Sequence, residues 1–309
     1  MFDVIKKAKK IVILAHQGPD GDAIGSAMAM YYAIKKLGKD VTVILEYIPK
    51  CFEFLPHIDK VKQQATKKYD LVICVDSANV ERVYGYNDVV DEENLVINID
   101  HHMTNSEYGK YNYVEKDSPA CCQTIYQLFK EWNVEITEDI MKAIICGILT
   151  DTNGFLYSSV NKTTFEIAAE IREKLEIFPI YNNLIYCKTM PQYKLQKLIM
   201  KRLKIYENGQ IAFAYLTKND LKRYHAEKGD YEGLVNIGRN IDGVKVSFLI
   251  REVDDGYQVS LRSKDIDVNK IANKFEGGGH KCAAGIKTKM PFFKLKNQLF
   301  EEIKKELKK

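Results

Sequence analysis

Short apolar runs alternate with helical patterns through the first half of the chain. Continuous apolar runs occupy 11–16 (IVILAH), 41–46 (VTVILE), 71–76 (LVICVD) and 95–100 (LVINID). Runs of this length that are rich in β-branched residues indicate strands buried on both faces of a sheet. The stretch after the first run is rich in good helix formers and ends before Gly38. The pattern therefore predicts βαβ connectivity and an α/β domain built on a parallel sheet.

Three further helices are predicted between the fourth apolar run and residue 175. The first begins at Ser118, the second opens at Thr137, and the third is an amphipathic helix over 161–175. The second, IMKAIICGILTDT, is apolar almost all round. We therefore expect it to be buried, with Asp151 at its C-terminal end.

The pattern changes in the second half of the chain. Residues 178–203 have helical character interrupted by Pro191, which predicts a connector between two domains. The runs IYENGQIAFAYL, VKVSFLIREV and GYQVSLRSK then alternate, with Asn-Gly and Asp-Gly turns, and predict antiparallel pairing. We expect an N-terminal α/β domain over 1–185, a helical connector over 186–203 and a smaller α+β domain over 204–309.

Composition places the chain among ordinary globular proteins. Apolar residues make up 46%, charged residues 28%, and the formal net charge is +4. This mild excess permits anionic ligands but does not favour a long nucleic-acid duplex. The seven cysteines include no CxxC pair, which argues against a disulfide frame and a cysteine zinc site. No apolar run approaches the roughly 20 residues of a membrane span, so we expect a cytoplasmic protein.

Acidic and imidazole side chains collect where the predicted strands and helices end. Ligands bind at the carboxyl ends of strands in open α/β sheets, so we expect these side chains to converge. The set comprises His16, Asp20, Asp22, Asp76, Asp100, His101, His102 and Asp151.

The chemistry of this set points to divalent cations. Carboxylates and imidazoles without thiolates suit Mn²⁺ or Mg²⁺ more than structural zinc. Many carboxylates in one cleft repel one another unless cations neutralise them, which argues for more than one ion. Two ions about 3.5–4 Å apart can activate water and stabilise an in-line phosphoryl displacement, so no protein nucleophile is required.

Five motifs in the chain resemble those of the DHH phosphoesterases. HQGPDGDAIGS, VDSAN, DHH and GILTDTNGF resemble their four catalytic motifs, and GGGHKCAAG resembles the DHH-associated domain. Motif order and spacing cover most of the chain and are most similar to the bacterial nano-RNase and phosphoadenosine-phosphatase branch. One departure is Asn153, which precedes Gly154 where many family members place glycine directly after Asp-Thr. It concerns the shape of the following loop.

The resemblance implies a role for each residue of the set. One Mn²⁺ would be bound by His16, Asp20 and Asp76. The other would be bound by Asp22, Asp76, His101 and Asp151, with Asp76 bridging and Mg²⁺ or Co²⁺ as substitutes. His102 would contact the scissile phosphate or the leaving group, and Asp100 would orient an imidazole.

The resemblance also implies a substrate site in the second domain. Its residues would be Arg262, Ser263, Gly278, Gly279 and His280, which would bind the substrate's other phosphate and its nucleotide. A glycine-rich turn exposes N–H groups to an anion, and arginine binds phosphate bidentately. A substrate held by both domains would explain a preference for short length.

The leading hypothesis is a Mn²⁺-dependent phosphodiesterase, an oligoribonuclease that cuts short 5′-phosphorylated RNA and dinucleotides such as pApA to mononucleotides. Phosphoadenosine phosphate is a further candidate substrate, and cyclic di-AMP hydrolysis is the open alternative. A homodimer is expected from the family. Inorganic pyrophosphatase is disfavoured by GGGH, and a recombination-type exonuclease by chain length. A nucleotide sensor or RNA-binding module without turnover would be expected to lack at least one metal-binding residue. This sequence has a histidine or an aspartate at every metal-binding position of the motifs.

Overall fold

The computed structural model describes residues 1–65, 68–91 and 94–308, with His280 described by its backbone alone. The chain divides into two compact units, Met1–Cys187 and Lys188–Lys309. The domain boundaries expected at 185/186 and 203/204 remain predictions. Across the described ranges, no helix is both long enough and apolar enough to cross a membrane.

A parallel sheet forms the centre of the first unit. Its strands are β1 (Lys10–Leu14), β2 (Asp40–Ile44), β3 (Leu71–Val75), β4 (Leu95–Asp100) and β5 (Tyr111–Val114). They lie in the order β2-β1-β3-β4-β5, and every neighbouring pair is parallel. The predicted α/β class is confirmed. The strand β5 was not predicted, because its residues are only half-buried at the sheet edge and form no continuous apolar run.

Seven α-helices accompany this sheet in the described part of the first unit. They are α1 (Phe2–Lys7), α2 (Gly21–Lys36), α3 (Tyr86–Val89), α4 (Cys121–Glu131), α5 (Glu138–Asp151), α6 (Lys162–Lys174) and α7 (Phe178–Tyr181). A π-helical turn, Asn182–Tyr186, follows α7. Helix α5 is buried along most of its length, as predicted, and the Thr137 side chain caps it by accepting from the Ile140 N–H.

Both faces of the parallel sheet are buried. On one face, Ile11, Ile13 and Ile73 pack with residues of α2, α4 and α5 in the main core. On the other face, Val12 and Leu14 belong to a smaller apolar cluster with side chains of α3 and of loops next to the strands. Removing each such side chain from water stabilises the fold by about 1.5–3 kcal/mol. Continuous apolar runs are therefore required in these strands.

Two glycines allow the helices next to the sheet to approach closely. A Cβ at Gly25 of α2 would lie 2.5 Å from the carbonyl oxygen of Ala143 in α5. A Cβ at Gly147 of α5 would lie 2.2 Å from Sγ of Cys122 and 2.4 Å from Oδ1 of Asp22. These distances are too short for any real Cβ contact, so the packing that surrounds Asp22 requires glycine at both positions.

The second unit contains a mixed sheet of six strands. Its elements are α8 (Met190–Arg202), β6 (Lys204–Tyr206), β7 (Ile211–Leu216), α9 (Lys218–Arg223), α10 (Asn236–Arg239), β8 (Val246–Val253), β9 (Gly256–Ser263), α11 (Val268–Asn273), β10 (Gly278–His280), β11 (Ala283–Thr288) and α12 (Phe292–Leu307). The strand order is β10-β11-β9-β8-β7-β6.

The predicted antiparallel pairing is correct for β6 with β7 and for β8 with β9. It is wrong for β7 with β8, which are parallel. The physical reason is the long connection between them, which contains α9 and α10 and acts as a crossover. Pro191 lies in the first turn of α8, where a missing N–H costs nothing, so it begins a helix rather than interrupting one.

Candidate metal and active site

All eight chemistry-bearing residues predicted in the first unit lie near the carboxyl ends of its central strands. His16 follows β1, Asp76 follows β3, and Asp100 ends β4 directly before His101 and His102. The remaining three lie at helix ends. These residues form three groups, and within each group the possible ligand atoms lie within 4.8 Å of one another. The groups are Asp76, Asp100, His101 and His102; His16, Asp20 and Asp76; and Asp22, His101 and Asp151.

Backbone N–H groups fix the two aspartates at the start of α2. Asp20 is the N-cap residue, and its Oδ1 accepts from the N–H groups of Asp22 and Ala23 at 3.0 and 3.1 Å. Asp22 is fully buried and accepts from the N–H groups of Cys121 and Cys122 at 2.5 and 2.9 Å. These two donors form the N-terminus of α4, where the helix dipole also favours a carboxylate.

Backbone carbonyls orient two of the imidazoles. Nδ1 of His16 lies 2.9 Å from the Gln17 carbonyl oxygen, and Nδ1 of His101 lies 3.0 Å from the Ser118 carbonyl oxygen. A carbonyl only accepts, so Nδ1 carries the proton in both rings. Nε2 of each ring then faces the carboxylates, which is the arrangement of a metal-binding histidine.

Asp76 presents a different oxygen to each of these imidazoles. Its Oδ2 lies 3.5 Å from Nε2 of His16, and its Oδ1 lies 3.4 Å from Nε2 of His101. Oδ1 is buried and has no hydrogen-bond partner among the described residues. The backbone of Asp76 is left-handed, with φ of 50°. Strain of this kind in a non-glycine residue collects at functional sites.

The spacing of these atoms fits divalent cations. His101 Nε2 lies 3.7 Å from Asp22 Oδ2 and 3.5 Å from Asp151 Oδ2, and His16 Nε2 lies 3.7 Å from Asp20 Oδ1. Such distances are too long for good hydrogen bonds. Two ligands of one ion, each about 2.1–2.2 Å from it, lie about 3.0–3.8 Å apart for ligand angles of about 90–120°. With the orphaned Asp76 Oδ1, this spacing makes the residues suitable ligands for hard cations.

The buried charges shift one another's pKa values. Burial raises the pKa of Asp22 to about 7, and the Asp76 carboxylate adds to the rise. Burial and the Asp22 charge likewise raise the pKa of Asp151. Burial alone would raise the pKa of Asp76, but His101 and His16 outweigh it and hold that pKa well below its usual range. The three carboxylates therefore repel, and cations would relieve that repulsion.

Asp100 and His102 form a pair beside this cluster. Nδ1 of His102 lies 2.8 Å from Oδ1 of Asp100, which is fully buried. The other oxygen of Asp100 accepts from Asn105, which also bonds Asn98. Sequence reasoning missed both asparagines, and it also missed the α4 amides that bond Asp22. For the asparagines a signal was available: Asp100 ends an apolar run, so its carboxylate should be buried, and a buried carboxylate requires hydrogen-bond donors.

The structure places the residues predicted to bind substrate on two strands of the second unit, β9 and β10, which lie on either side of β11. In backbone register, Arg262 pairs with Ala283 of β11, which pairs in turn with His280 of β10. Ser263 is buried and its hydroxyl donates to the Ile266 carbonyl at 2.5 Å. The glycines form strand β10, and a Cβ at Gly279 would lie 2.4 Å from the Ala283 carbonyl oxygen. Their roles in substrate binding remain predictions.

Comparison with known proteins identifies the family. Residues 10–148 match the DHH family, N-terminal domain, and residues 208–309 match the DHHA1 domain. The chain is 30% identical over 305 residues to the "bifunctional oligoribonuclease and PAP phosphatase NrnA" of Thermus thermophilus, covering 96% of this chain and 90% of that protein. The chain belongs to the DHH family.

Two other relatives extend the comparison. The protein of the same description from Bacillus subtilis is 28% identical over 285 residues, which cover 89% of this chain and 88% of that protein. A crystal structure of an exopolyphosphatase-related protein from Bacteroides fragilis matches with a TM-score of 0.90 and 26% identity. That match covers 100% of this chain and 96% of the other.

Proposed function

We propose that this protein is a two-metal, Mn²⁺-dependent phosphoesterase that hydrolyses short 5′-phosphorylated oligonucleotides and dinucleotides to mononucleotides. The observation that carries the proposal is the geometry of Asp76, whose two oxygens face two different histidines at 3.5 and 3.4 Å. A carboxylate so placed can bridge two ions. Family membership and the names of the relatives support the reaction class.

The proposed ligand sets follow the two sides of Asp76. One ion would be held by His16, Asp20 and Asp76, whose atoms form one compact group. The other would be held by Asp76, Asp22, His101 and Asp151. When bound, the two ions would supply positive charge to the phosphoryl oxygens and a water molecule of lowered pKa.

His102 has a separate role in the proposal. Its Nδ1 bonds to Asp100 at 2.8 Å, so the proton on Nδ1 is fixed and Nε2 is the atom directed to the substrate. Nε2 of His102 would contact the scissile phosphate or the leaving oxygen. Asp100 would hold the ring in the required orientation, because a buried carboxylate beside Nδ1 favours one tautomer.

The preference for short substrates rests on the second unit. Arg262 lies in β9 in register with Ala283 of β11, and its Nη1 donates to the Leu261 carbonyl at 2.9 Å. Arginine binds phosphate groups bidentately. We propose that Arg262 binds the terminal phosphate, with Gly278, Gly279 and His280 at the nucleotide and Ser263 supporting the strand end. The relatives' descriptions as oligoribonucleases and PAP phosphatases support phosphoadenosine phosphate as a second substrate.

A panel of substrates tests the proposal. Purified protein with Mn²⁺ would be given pApA, short 5′-phosphorylated RNA, phosphoadenosine phosphate, cyclic di-AMP and pyrophosphate, and the products separated by chromatography. We expect mononucleotides from pApA and short RNA. Faster turnover of cyclic di-AMP than of pApA would favour the cyclic dinucleotide phosphodiesterase instead. Mn²⁺-dependent binding without turnover of any substrate would favour a nucleotide sensor.

A further inference from the structure

We infer that Asn105 is a positioning residue for His102 and acts through Asp100. The inference rests on the proposed function, which places Nε2 of His102 at the substrate. In this role Asn105 supports turnover without contacting the metal ions or the substrate. The carrying observation is a continuous chain of side-chain hydrogen bonds from Asn98 to His102.

The carboxylate of Asp100 has a separate partner for each oxygen. Oδ1 lies 2.8 Å from Nδ1 of His102, and Oδ2 accepts from Nδ2 of Asn105 at 2.6 Å. Asp100 is fully buried, so no water shell can hold its orientation. The plane of the carboxylate, and with it the direction of the His102 ring, depends on the donor at Oδ2.

The amide of Asn105 is itself held at both ends. Its Nδ2 lies 2.8 Å from Oδ1 of Asn98 and 3.3 Å from the Ser77 carbonyl oxygen. Its Oδ1 accepts from the Glu107 N–H at 2.6 Å. Only one orientation of the amide satisfies both ends, because the NH₂ group faces oxygens and the carbonyl faces an N–H. Asn105 therefore directs a donor to Asp100.

Asn98 anchors this amide to the sheet. It is fully buried in β4, and its Nδ2 lies 3.3 Å from the Ser77 carbonyl oxygen and 3.2 Å from the Tyr108 hydroxyl. Ser77 directly follows Asp76. The hydrogen bonds thus join the segment after β3, which carries the bridging carboxylate, to the end of β4, which carries His102.

The loop that contains Asn105 has other attachments. The Asn105 N–H donates to the His102 carbonyl at 3.1 Å, and the Ser106 N–H donates to the Ala78 carbonyl at 2.9 Å. The Ser106 hydroxyl also donates to Ala78 at 3.3 Å. Since these bonds do not use the Asn105 side chain, truncating that side chain should leave the loop in place and disturb Asp100.

Kinetics of Asn105→Ala provide the first test. We expect kcat on pApA to fall by roughly 10–100-fold, the usual cost of losing a residue that orients a site group. We expect KM and the affinity for Mn²⁺ measured by calorimetry to stay unchanged. Asn112→Ala is the matched control, because the Asn112 side chain bonds the Gly109 backbone at 2.9 and 2.7 Å and the variant should retain wild-type kcat.

A double-mutant cycle separates positioning from a general structural effect. In a His102→Ala background, Asn105→Ala should cost no further activity, since its effect passes through His102. A further loss of the full single-mutant factor would overturn the inference. If His102→Ala alone retains wild-type kcat, the proposed role of His102 fails first, which distinguishes the two failures.

The tautomer of His102 provides a readout independent of activity. ¹H–¹⁵N spectra of the metal-free protein, assigned with His102→Gln, should show His102 protonated at Nδ1. Asn105→Ala should shift this imidazole towards a mixture of tautomers, whereas Asn112→Ala should not. An unchanged His102 signal in Asn105→Ala, together with wild-type kcat, would assign Asn105 to the loop alone.

Discussion

Nε2 of His101 lies 3.4 Å from Oδ1 of Asp76, farther than a good hydrogen bond and close enough for both atoms to bind one ion. Oδ2 of the same carboxylate faces His16. Asp76 is thus the point where the two proposed ligand sets meet. Changes at this residue should affect both ions together, while changes at other ligands should affect one.

Asp76→Asn should abolish turnover. Asparagine keeps the shape and tolerates the left-handed backbone at this position, so the change removes mainly the charge. We expect kcat on pApA to fall by about a thousandfold or more, because a lost electrophilic centre costs several kcal/mol of transition-state stabilisation. Calorimetry should show weakened binding of both Mn²⁺ ions. Asp88→Asn, an exposed carboxylate of α3, is the control, and near-normal Mn²⁺-dependent activity of Asp76→Asn would contradict the bridging role.

Mn²⁺ should stabilise the protein against heat, and chelation should reverse the effect. Cations bind the folded carboxylate cluster and have no equivalent site in the unfolded chain. Saturation at about 100 times the dissociation constant therefore adds about 2.7 kcal/mol to the free energy of unfolding.

Asp151→Asn should raise the Tm of the chelated protein, since it removes one repelling carboxylate. It should also reduce the increment from Mn²⁺. Differential scanning calorimetry with and without Mn²⁺ would measure both, and an undiminished increment would remove Asp151 from the ligand set.

Gly147→Ala should destabilise the first unit although alanine is the better helix former. At an ordinary helix position the change gains up to about 1 kcal/mol. Here the added Cβ collides with Cys122 Sγ and Asp22 Oδ1, so we expect a cost of roughly 1–3 kcal/mol from overpacking. Displacement of Asp22 should also weaken Mn²⁺ binding. Urea unfolding and calorimetry would check the two effects, and unchanged stability would show that α5 can move away from Asp22.

Asp220→Asn should lower the free energy of unfolding of the second unit at neutral pH and change it little in acid. Two bonds of 2.5 and 2.9 Å join Asp220 to Arg202. Burial alone would raise the pKa of Asp220, but bonds from Arg202 and Thr217 outweigh it and lower that pKa. The folded state then binds fewer protons than the unfolded state, so the stabilisation is present above about pH 4 and is lost as pH falls through the lowered pKa.

We expect Asp220→Asn to cost about 1–2 kcal/mol at pH 7, as for hydrogen bonds to charged groups. The difference from wild type in urea midpoints should shrink as the pH is lowered towards 3. Asp254→Asn is the matched control, because its pair with Lys218 is exposed and should matter little. A difference independent of pH would show that the Asp220 charge is not the stabilising feature.

Arg262→Ala should chiefly raise KM for phosphorylated dinucleotides. If Arg262 binds the terminal phosphate, a small generic phosphodiester that lacks that group should be hydrolysed at the wild-type rate. Steady-state kinetics on pApA and on such a diester would separate the two cases. Arg223→Ala, which removes an exposed arginine of α9, is the control. Equal losses on both substrates would contradict the proposed phosphate contact.

The main elements of the first unit were predictable because its strands are buried on both faces. The apolar runs at 11–16 and 71–76 give β1 and β3 within a residue or two, and they place His16 and Asp76 at strand ends. The parallel pairing of β7 with β8 was not predictable from alternation, since a strand's pattern reports its exposed face and not its neighbour's direction. Asn105 was missed because the donor to a buried carboxylate lies in a loop, where no periodicity marks it.

The attachment of Asp22 to the N-terminus of α4 has a consequence for how related chains can vary. The donors are the main-chain amides of residues 121 and 122, and every amino acid except proline provides such an amide. The orientation of this carboxylate is therefore encoded by the start of a helix rather than by side-chain identity. Related chains can therefore carry other small residues at positions 121 and 122 and still donate both hydrogen bonds to the Asp22 carboxylate. A proline at either position would remove one of these bonds.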